Sequence, residues 1–173
     1  MKILVFSDSH LNTSNMTSII NHYKGEISLI VHLGDMYSDF EKIKIAFPNV
    51  PTVAVKGNND FFEVVPESEV FSTFAGVKCF FTHGHRYNVK GGLAGISVRA
   101  RALNADLVLF GHTHLPLKET RGKTLFINPG TVGTNYGKAT FALIELDNSS
   151  VVFADIMSFD TTDNSIDVLR NLK

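Results

Sequence analysis

The chain has 173 residues, a formal net charge of −1, 44% hydrophobic residues and one cysteine. A chain of this size can bury most of its apolar surface as one domain, taken here as residues 1–173, and its near-neutral charge offers no basic field for stable nucleic-acid binding. The lone Cys79 excludes an internal disulfide and fits a reducing cytosol, while no apolar run reaches the ~18 residues that span a bilayer, so a cytoplasmic protein without membrane association is expected.

Residues 3–6 read as a short buried strand, ending too soon for a secretory leader. Met16, Ile19, Ile20 and Tyr23 then place one apolar stripe on a helix. Residues 29–33 form a second strand. Ser38 stands three residues before Glu41, a capping-box pattern, and Phe40, Ile43 and Phe47 continue a helical stripe that Pro48 and Pro51 end. Residues 52–55 give a third strand, so the first third reads β-α-β-α-β with strands buried on both faces. Residues 70–74 and 77–82 flank Ala75-Gly76 as a hairpin. A helix over 90–104 turns Leu93, Ile96, Ala100 and Leu103 inward, and 107–110 is a further strand. The remainder reads as antiparallel strands over 115–119, 124–127, 139–146 and 151–157. From Ser158 a polar tail follows, loosely attached, with a final helical turn or two. The composite is an α/β domain with two sheets and helices outside them.

Five polar clusters close apolar runs: Asp8-Ser9-His10, Gly34-Asp35, Gly57-Asn58-Asn59-Asp60, His83-Gly84-His85 and Gly111-His112-Thr113-His114. They hold five of the seven histidines. Oxygen and nitrogen donors of these kinds suit divalent metals, and in open α/β sheets ligands bind beyond the carboxyl ends of strands. The pairs Asp8/His10, His83/His85 and His112/His114 are spaced by two, which in extended backbone turns both members to one side. Six or more donors exceed the needs of one tetrahedral ion. Two ions about 3.5–4 Å apart, sharing a carboxylate, would use them, and Asp35 is the candidate bridge.

The order D-x-H, G-D, G-N-x-D, H-x-H, G-H-x-H resembles that of the calcineurin-like metallophosphoesterases, most closely the small bacterial and archaeal phosphodiesterases of the YfcE type, from Met1 to about Met157. The resemblance implies a four-layer αββα sandwich of two mixed sheets with flanking helices, and a dinuclear site. By motif position, Asp8, His10, Asp35 and His114 would hold one ion, and Asp35, Asn58, His83 and His112 the other. Manganese is the first choice of metal, with nickel, iron, zinc and cobalt also suited to these donors.

The implied activity is hydrolysis of small phosphodiesters by hydroxide generated at two divalent ions. Three further residues are assigned to catalysis: Asp60 to orient a ligand, His85 as a partner behind the ligands or a proton donor, and Asn59. Phosphoprotein phosphatases carry a histidine where Asn59 stands, and an amide cannot act as a general acid near neutral pH. The arginines those enzymes use near the G-D motif are also missing, since Met36 and Tyr37 follow Asp35. Arg86 is the basic residue expected to contact phosphate. Without an insertion for a cap the site should be shallow. The alternatives are a phosphomonoesterase on the same site and a non-catalytic scaffold, as the retromer subunit of this fold is thought to be; a homodimer is left open. Elsewhere the bland readings prevail: Cys79 is a buried structural thiol, His32 a hydrogen-bonded core histidine, His22 a surface residue. Gly91, Gly92 and Gly95 mark a helix entrance, and Asn128-Pro129-Gly130 a turn near the substrate.

Overall fold

The computed structural model describes residues 1–61 and 67–170. In chain order the elements are β1 (Lys2–Phe6), α1 (Ser14–His22), β2 (Leu29–His32), α2 (Tyr37–Ala46), β3 (Thr52–Ala54), β4 (Glu69–Phe74) and β5 (Val77–Thr82). After two single turns of 3₁₀ helix come α3 (Ala94–Leu103), β6 (Leu107–Leu109), β7 (Leu117–Arg121), β8 (Thr124–Asn128), β9 (Lys138–Asp147), β10 (Ser150–Asp160) and β11 (Ile166–Val168). The strands form a six-stranded sheet, β11-β10-β9-β1-β2-β3, and a five-stranded sheet, β4-β5-β6-β8-β7. Each has a parallel run: β1-β2-β3 at one edge of the first sheet, with β9, β10 and β11 antiparallel on its other side, and β5-β6-β8 at the centre of the second, between antiparallel β4 and β7.

Strand alternation explains the layers. Ile3 and Val5 of β1 face a core shared with Cys79, Phe81, Leu107 and Leu109 of the second sheet, so the two sheets pack face to face. Leu4 and Phe6 point the other way, onto Met16 and Ile19 of α1 and Phe40 and Ile43 of α2. On the far side, Phe80, Val108 and Phe126 pack under Ile96 and Ala100 of α3. The result is helix, sheet, sheet, helix. Both faces of the central strands are dry, which is why they read as continuous apolar runs. Fully burying one such Val or Phe side chain contributes about 1.5–3 kcal/mol.

Two local expectations fail. Ser38 lies inside α2 and no side-chain cap is formed there; Met36, at φ 78°, occupies the cap position. The cap comes instead from a distant residue, Asp60, whose Oδ1 accepts the N–H groups of Met36 and Tyr37, both at 2.8 Å. Likewise the segment after Ser158 is no loose helical tail. β10 continues to Asp160 with Ser158 and Phe159 buried, and β11 pairs along it, Met157 opposite Val168. Residues 171–173 lie outside the described part of the chain.

Candidate metal centre

The carboxyl ends of β1, β2 and β3 in one sheet meet those of β5 and β6 in the other, and the donor clusters lie in the loops that follow. Backbone bonds knit these loops: Asp8 N–H to Gly34 O at 3.0 Å, Gly111 N–H to His83 O at 3.0 Å. Two glycines make the close approach possible. A Cβ on Gly57 would stand 2.1 Å from Asp35 Oδ1, and one on Gly111 would stand 2.0 Å from Ser7 Oγ.

The paired residues converge by a different route from the one their spacing suggests. Asp8, His10, Asp35, His112 and His114 all have positive φ, between 45° and 69°, and Leu11 and Met36 follow at 69° and 78°. Left-handed turns, not extended strand, aim these side chains. Such a conformation costs a non-glycine residue roughly 1–2 kcal/mol, and its concentration in these loops is the kind of strain found at functional sites.

Ligating atoms of Asp8, His10, Asp35 and His114 lie within 4.8 Å of one another, the two carboxylates buried and the two histidines exposed. His10 and His114 face each other with Nε2 atoms 3.2 Å apart, and His114 Nε2 is 3.1 Å from Asp8 Oδ1. That oxygen is buried, and Oδ2 accepts from Ser7 Oγ at 2.6 Å and His112 N–H at 3.2 Å. A buried carboxylate oxygen whose near neighbour is an imidazole nitrogen, itself facing a second imidazole, fits a bound cation.

The second group is assembled around His83. Its Nδ1 lies 2.7 Å from the Leu33 carbonyl, which can only accept, so Nδ1 carries the proton and Nε2 presents a lone pair. Nε2 stands 3.1 Å from Asn58 Oδ1 and 3.5 Å from Asp35 Oδ1. Opposed lone pairs at this distance repel, and a cation shared between them turns the repulsion into coordination. The His112 ring is 5.0 Å from the His83 ring. All seven candidate ligands are therefore in one place, with Asp35 between the two groups.

Charge placement follows from burial and neighbours. Burial alone would raise the Asp8 pKa, but His114, His83 and the Ser7 hydroxyl outweigh it and lower it below the usual carboxylate value. The Asp8 carboxylate in turn raises His114, against burial. His112 is pushed down to about 4, by burial first and then by His83 and Lys90. His85, whose ring is 5.4 Å from that of His83, is lowered chiefly by burial, and its Nδ1 is buried without a partner.

Asn59 and Asp60 both act on Asp35. The Asn59 amide donates to Asp35 Oδ2 at 2.7 Å, and its backbone N–H reaches Oδ1 at 3.0 Å. Asp60 accepts the N–H groups of Asp35 and Gly57 through Oδ2, at 3.0 and 2.8 Å, in addition to its bonds to α2. Arg86 turns away from the centre, donating to Ser68 Oγ at 2.8 Å. Asn128 donates to Gly111 O and Thr113 Oγ1 at 2.9 and 3.0 Å, holding the last cluster from below. Three supports were not foreseen. Ser7 bonds Asp8. Thr131 donates to the Asp8 carbonyl at 2.7 Å. The buried Asp39 accepts from Ser9 Oγ and Leu11 N–H at 2.9 and 2.7 Å. Of these, only Ser7 carries a sequence signal, its adjacency to Asp8.

Residues 1–149 match the family model of the calcineurin-like phosphoesterase superfamily domain. The chain belongs to this superfamily. It is 32% identical over 173 residues to the probable metallophosphoesterase YsnB of Bacillus subtilis (strain 168), covering 99% of this chain and 98% of that protein. The phosphodiesterase MJ0936 of Methanocaldococcus jannaschii is 29% identical over 144 residues, 75% of this chain and 83% of that one. Among solved structures, zinc-complexed wild-type Vps29 from Entamoeba histolytica superposes with a TM-score of 0.74 at 20% identity, over 98% of this chain and 97% of that one. At that identity the likeness is one of fold. The two-sheet, helix-flanked architecture is that of metallophosphoesterases. No helix among the described residues is long and apolar enough to cross a membrane.

Proposed function

We propose that the protein is a phosphodiesterase that hydrolyses small phosphodiesters with two divalent ions, manganese by preference, in a single cytoplasmic domain. The observation that carries this reading is the cluster of Asp8, His10, Asp35 and His114, with the buried Asp8 Oδ1 turned into it 3.1 Å from His114 Nε2. Asp8, His10, Asp35 and His114 would hold one ion, and Asp35, Asn58, His83 and His112 the other. When bound, the ions supply Lewis acidity toward the phosphoryl oxygens and a water acidic enough to attack phosphorus near neutral pH.

The protein's own contribution is orientation. Leu33 fixes the His83 tautomer through its carbonyl, so the ring meets the site with a lone pair. Asn59 and Asp60 are positioning residues: one grips the Asp35 carboxylate, the other the Asp35 backbone. His85, whose ring lies 5.4 Å from that of His83 and 6.1 Å from that of His112, would hydrogen-bond bound phosphate. Because the Asn59 amide is spent on Asp35 and cannot serve as an acid, diesters with good leaving groups are favoured over monoesters.

Ion binding alone does not separate an enzyme from a scaffold, since a Vps29 of this fold was crystallised with zinc. Turnover does. The test is to strip the protein of metal, restore manganese, nickel, zinc or magnesium singly, and assay aryl phosphodiester and monoester substrates with Asp35→Asn as control. Metal-dependent diester turnover that the substitution abolishes supports the reading. No turnover with any metal, or equal turnover in the variant, rejects it.

A further inference from the structure

A groove of about 490 Å³ opens beside the candidate metal centre, between the 3₁₀ turn at Val89–Gly91 and the segment that follows β6. Val89, Leu93, Phe110, Leu115 and Pro116 line it. Its volume lies in the ~300–1,000 Å³ range of small-ligand sites. Thr113, between His112 and His114, lines it as well, so groove and centre share a wall.

Two features separate this groove from incidental surface. Leu115 is 70% exposed, an unfavourable place for an isolated leucine, yet it is fixed. Its N–H donates to Thr113 Oγ1 at 3.1 Å, the Thr113 hydroxyl approaches the Leu115 carbonyl at 3.2 Å, and Asn128 holds the same hydroxyl at 3.0 Å. These bonds fix the backbone that presents the leucine, so little main-chain entropy is lost when a ligand meets it. The second feature is Lys90, which is exposed, lines the groove and makes no ion pair with a described residue. Lys90 and Thr113, the residue between His112 and His114, line the groove together, which brings a cation to the cavity that adjoins the centre.

We propose that this groove is the subsite for an apolar, ring-bearing ester group of the substrate, with Lys90 contacting the phosphoryl oxygen where that group is attached. The inference rests on the phosphodiesterase reading and narrows it to a class of diester. The charges are complementary: an anionic phosphate on the ions, a cation lining the adjoining groove, and apolar walls around it. At the far end, Arg121 donates to Glu119 at 2.7 Å, and both line the groove. They set a polar limit that suits a single ring better than a long acyl chain.

The test measures binding, so it stands apart from turnover. Calorimetric titration of the metal-loaded protein with phenylphosphonate, hexylphosphonate and methylphosphonate should give phenylphosphonate roughly tenfold tighter than methylphosphonate, the gain expected from partly burying one ring. Hexylphosphonate should fall between them. Leu115→Ser, at an exposed position that the fold does not depend on, should bring the phenyl-to-methyl ratio close to one. Lys90→Ala should weaken both roughly tenfold and leave their ratio unchanged. Equal affinity for phenyl and methyl in the wild type, a ratio untouched by Leu115→Ser, or hexyl binding above phenyl overturns the proposal. Ring-selective binding without diester turnover would reject the phosphodiesterase reading and keep the subsite; turnover with no ring selectivity would do the reverse.

Discussion

Asp60 holds Asp35 by its backbone: Oδ2 accepts the Asp35 N–H at 3.0 Å, while Oδ1 takes Met36 and Tyr37 at the start of α2. One buried carboxylate thus caps a helix and sets the conformation of the candidate bridging ligand. Charge-assisted bonds to N–H groups are about twice as strong as neutral ones. In Asp60→Asn an amide nitrogen would face two of these donors. We expect a stability loss of about 2–4 kcal/mol, read by denaturant unfolding, together with metal affinity lowered roughly 10–100-fold. Loss of stability with metal affinity unchanged would mean that Asp60 caps α2 and does nothing for Asp35.

Asn59 reaches the same residue from the other side, through the carboxylate. Asn59→Ala removes that donor at the surface of the loop and should leave the melting temperature within a few degrees of wild type. Metal affinity should fall roughly tenfold, in the range seen for partners behind metal ligands. Titration of the stripped variant with manganese checks this. Asn59→Asp should be worse than Ala, because it sets a second negative charge against Asp35 in place of a donor.

Burial of the central strands on both faces was legible because β1 is a continuous apolar run, whereas the four-layer order came with the family resemblance. Ile3 and Val5 meet one core, Leu4 and Phe6 another, and both sets are apolar. The Ala75-Gly76 hairpin was legible because its signal is local, with Phe74 pairing Val77 across it. The donor clusters were legible through their position after strands. Three features were not, and each depends on contacts distant in sequence. The Ser38/Glu41 pattern lost to Asp60, which arrives from beyond β3. The Asp8/His10 and His112/His114 pairs converge through left-handed turns whose strain the surrounding loops impose. The segment after Ser158 is polar, but β10 gives it an edge to pair with. Lys90 gave no signal either, since its significance lies in the groove it borders.

His32 makes a pH prediction. Buried within β2, it receives the Gly34 N–H on Nδ1 and lies 3.3 Å from Ser9 Oγ through Nε2, stacked on Phe40. Burial lowers its pKa from 6.5 to about 4. Between those values the unfolded chain takes up a proton that the folded chain refuses. The contribution is therefore complete above about pH 6.5 and is lost progressively as pH falls toward 4. For one group this amounts to about 2 kcal/mol between pH 7.5 and pH 5. Denaturant unfolding of wild type and His32→Gln at both pH values should show the wild type losing about that much more. Parallel losses would contradict the assignment.

Cys79 should be inert. It is fully buried, its sulfur 3.5 Å from the Val77 carbonyl, and burial pushes its pKa up to about 12. The thiolate is the reactive form, so an aromatic disulfide reagent should label the native protein negligibly over hours and label it fully in denaturant. Rapid native labelling would mean that the space between the sheets opens easily.

The central claim is that Asp35 is shared by two ions. It is tested most directly by counting metal per chain, with mass spectrometry of equilibrated samples beside calorimetric titration of stripped protein with manganese. The account predicts two ions per chain in the wild type, and weaker binding of both in Asp35→Asn, because one carboxylate serves both. A single ion in the wild type would contradict it, as would two ions of which Asp35→Asn weakens only one.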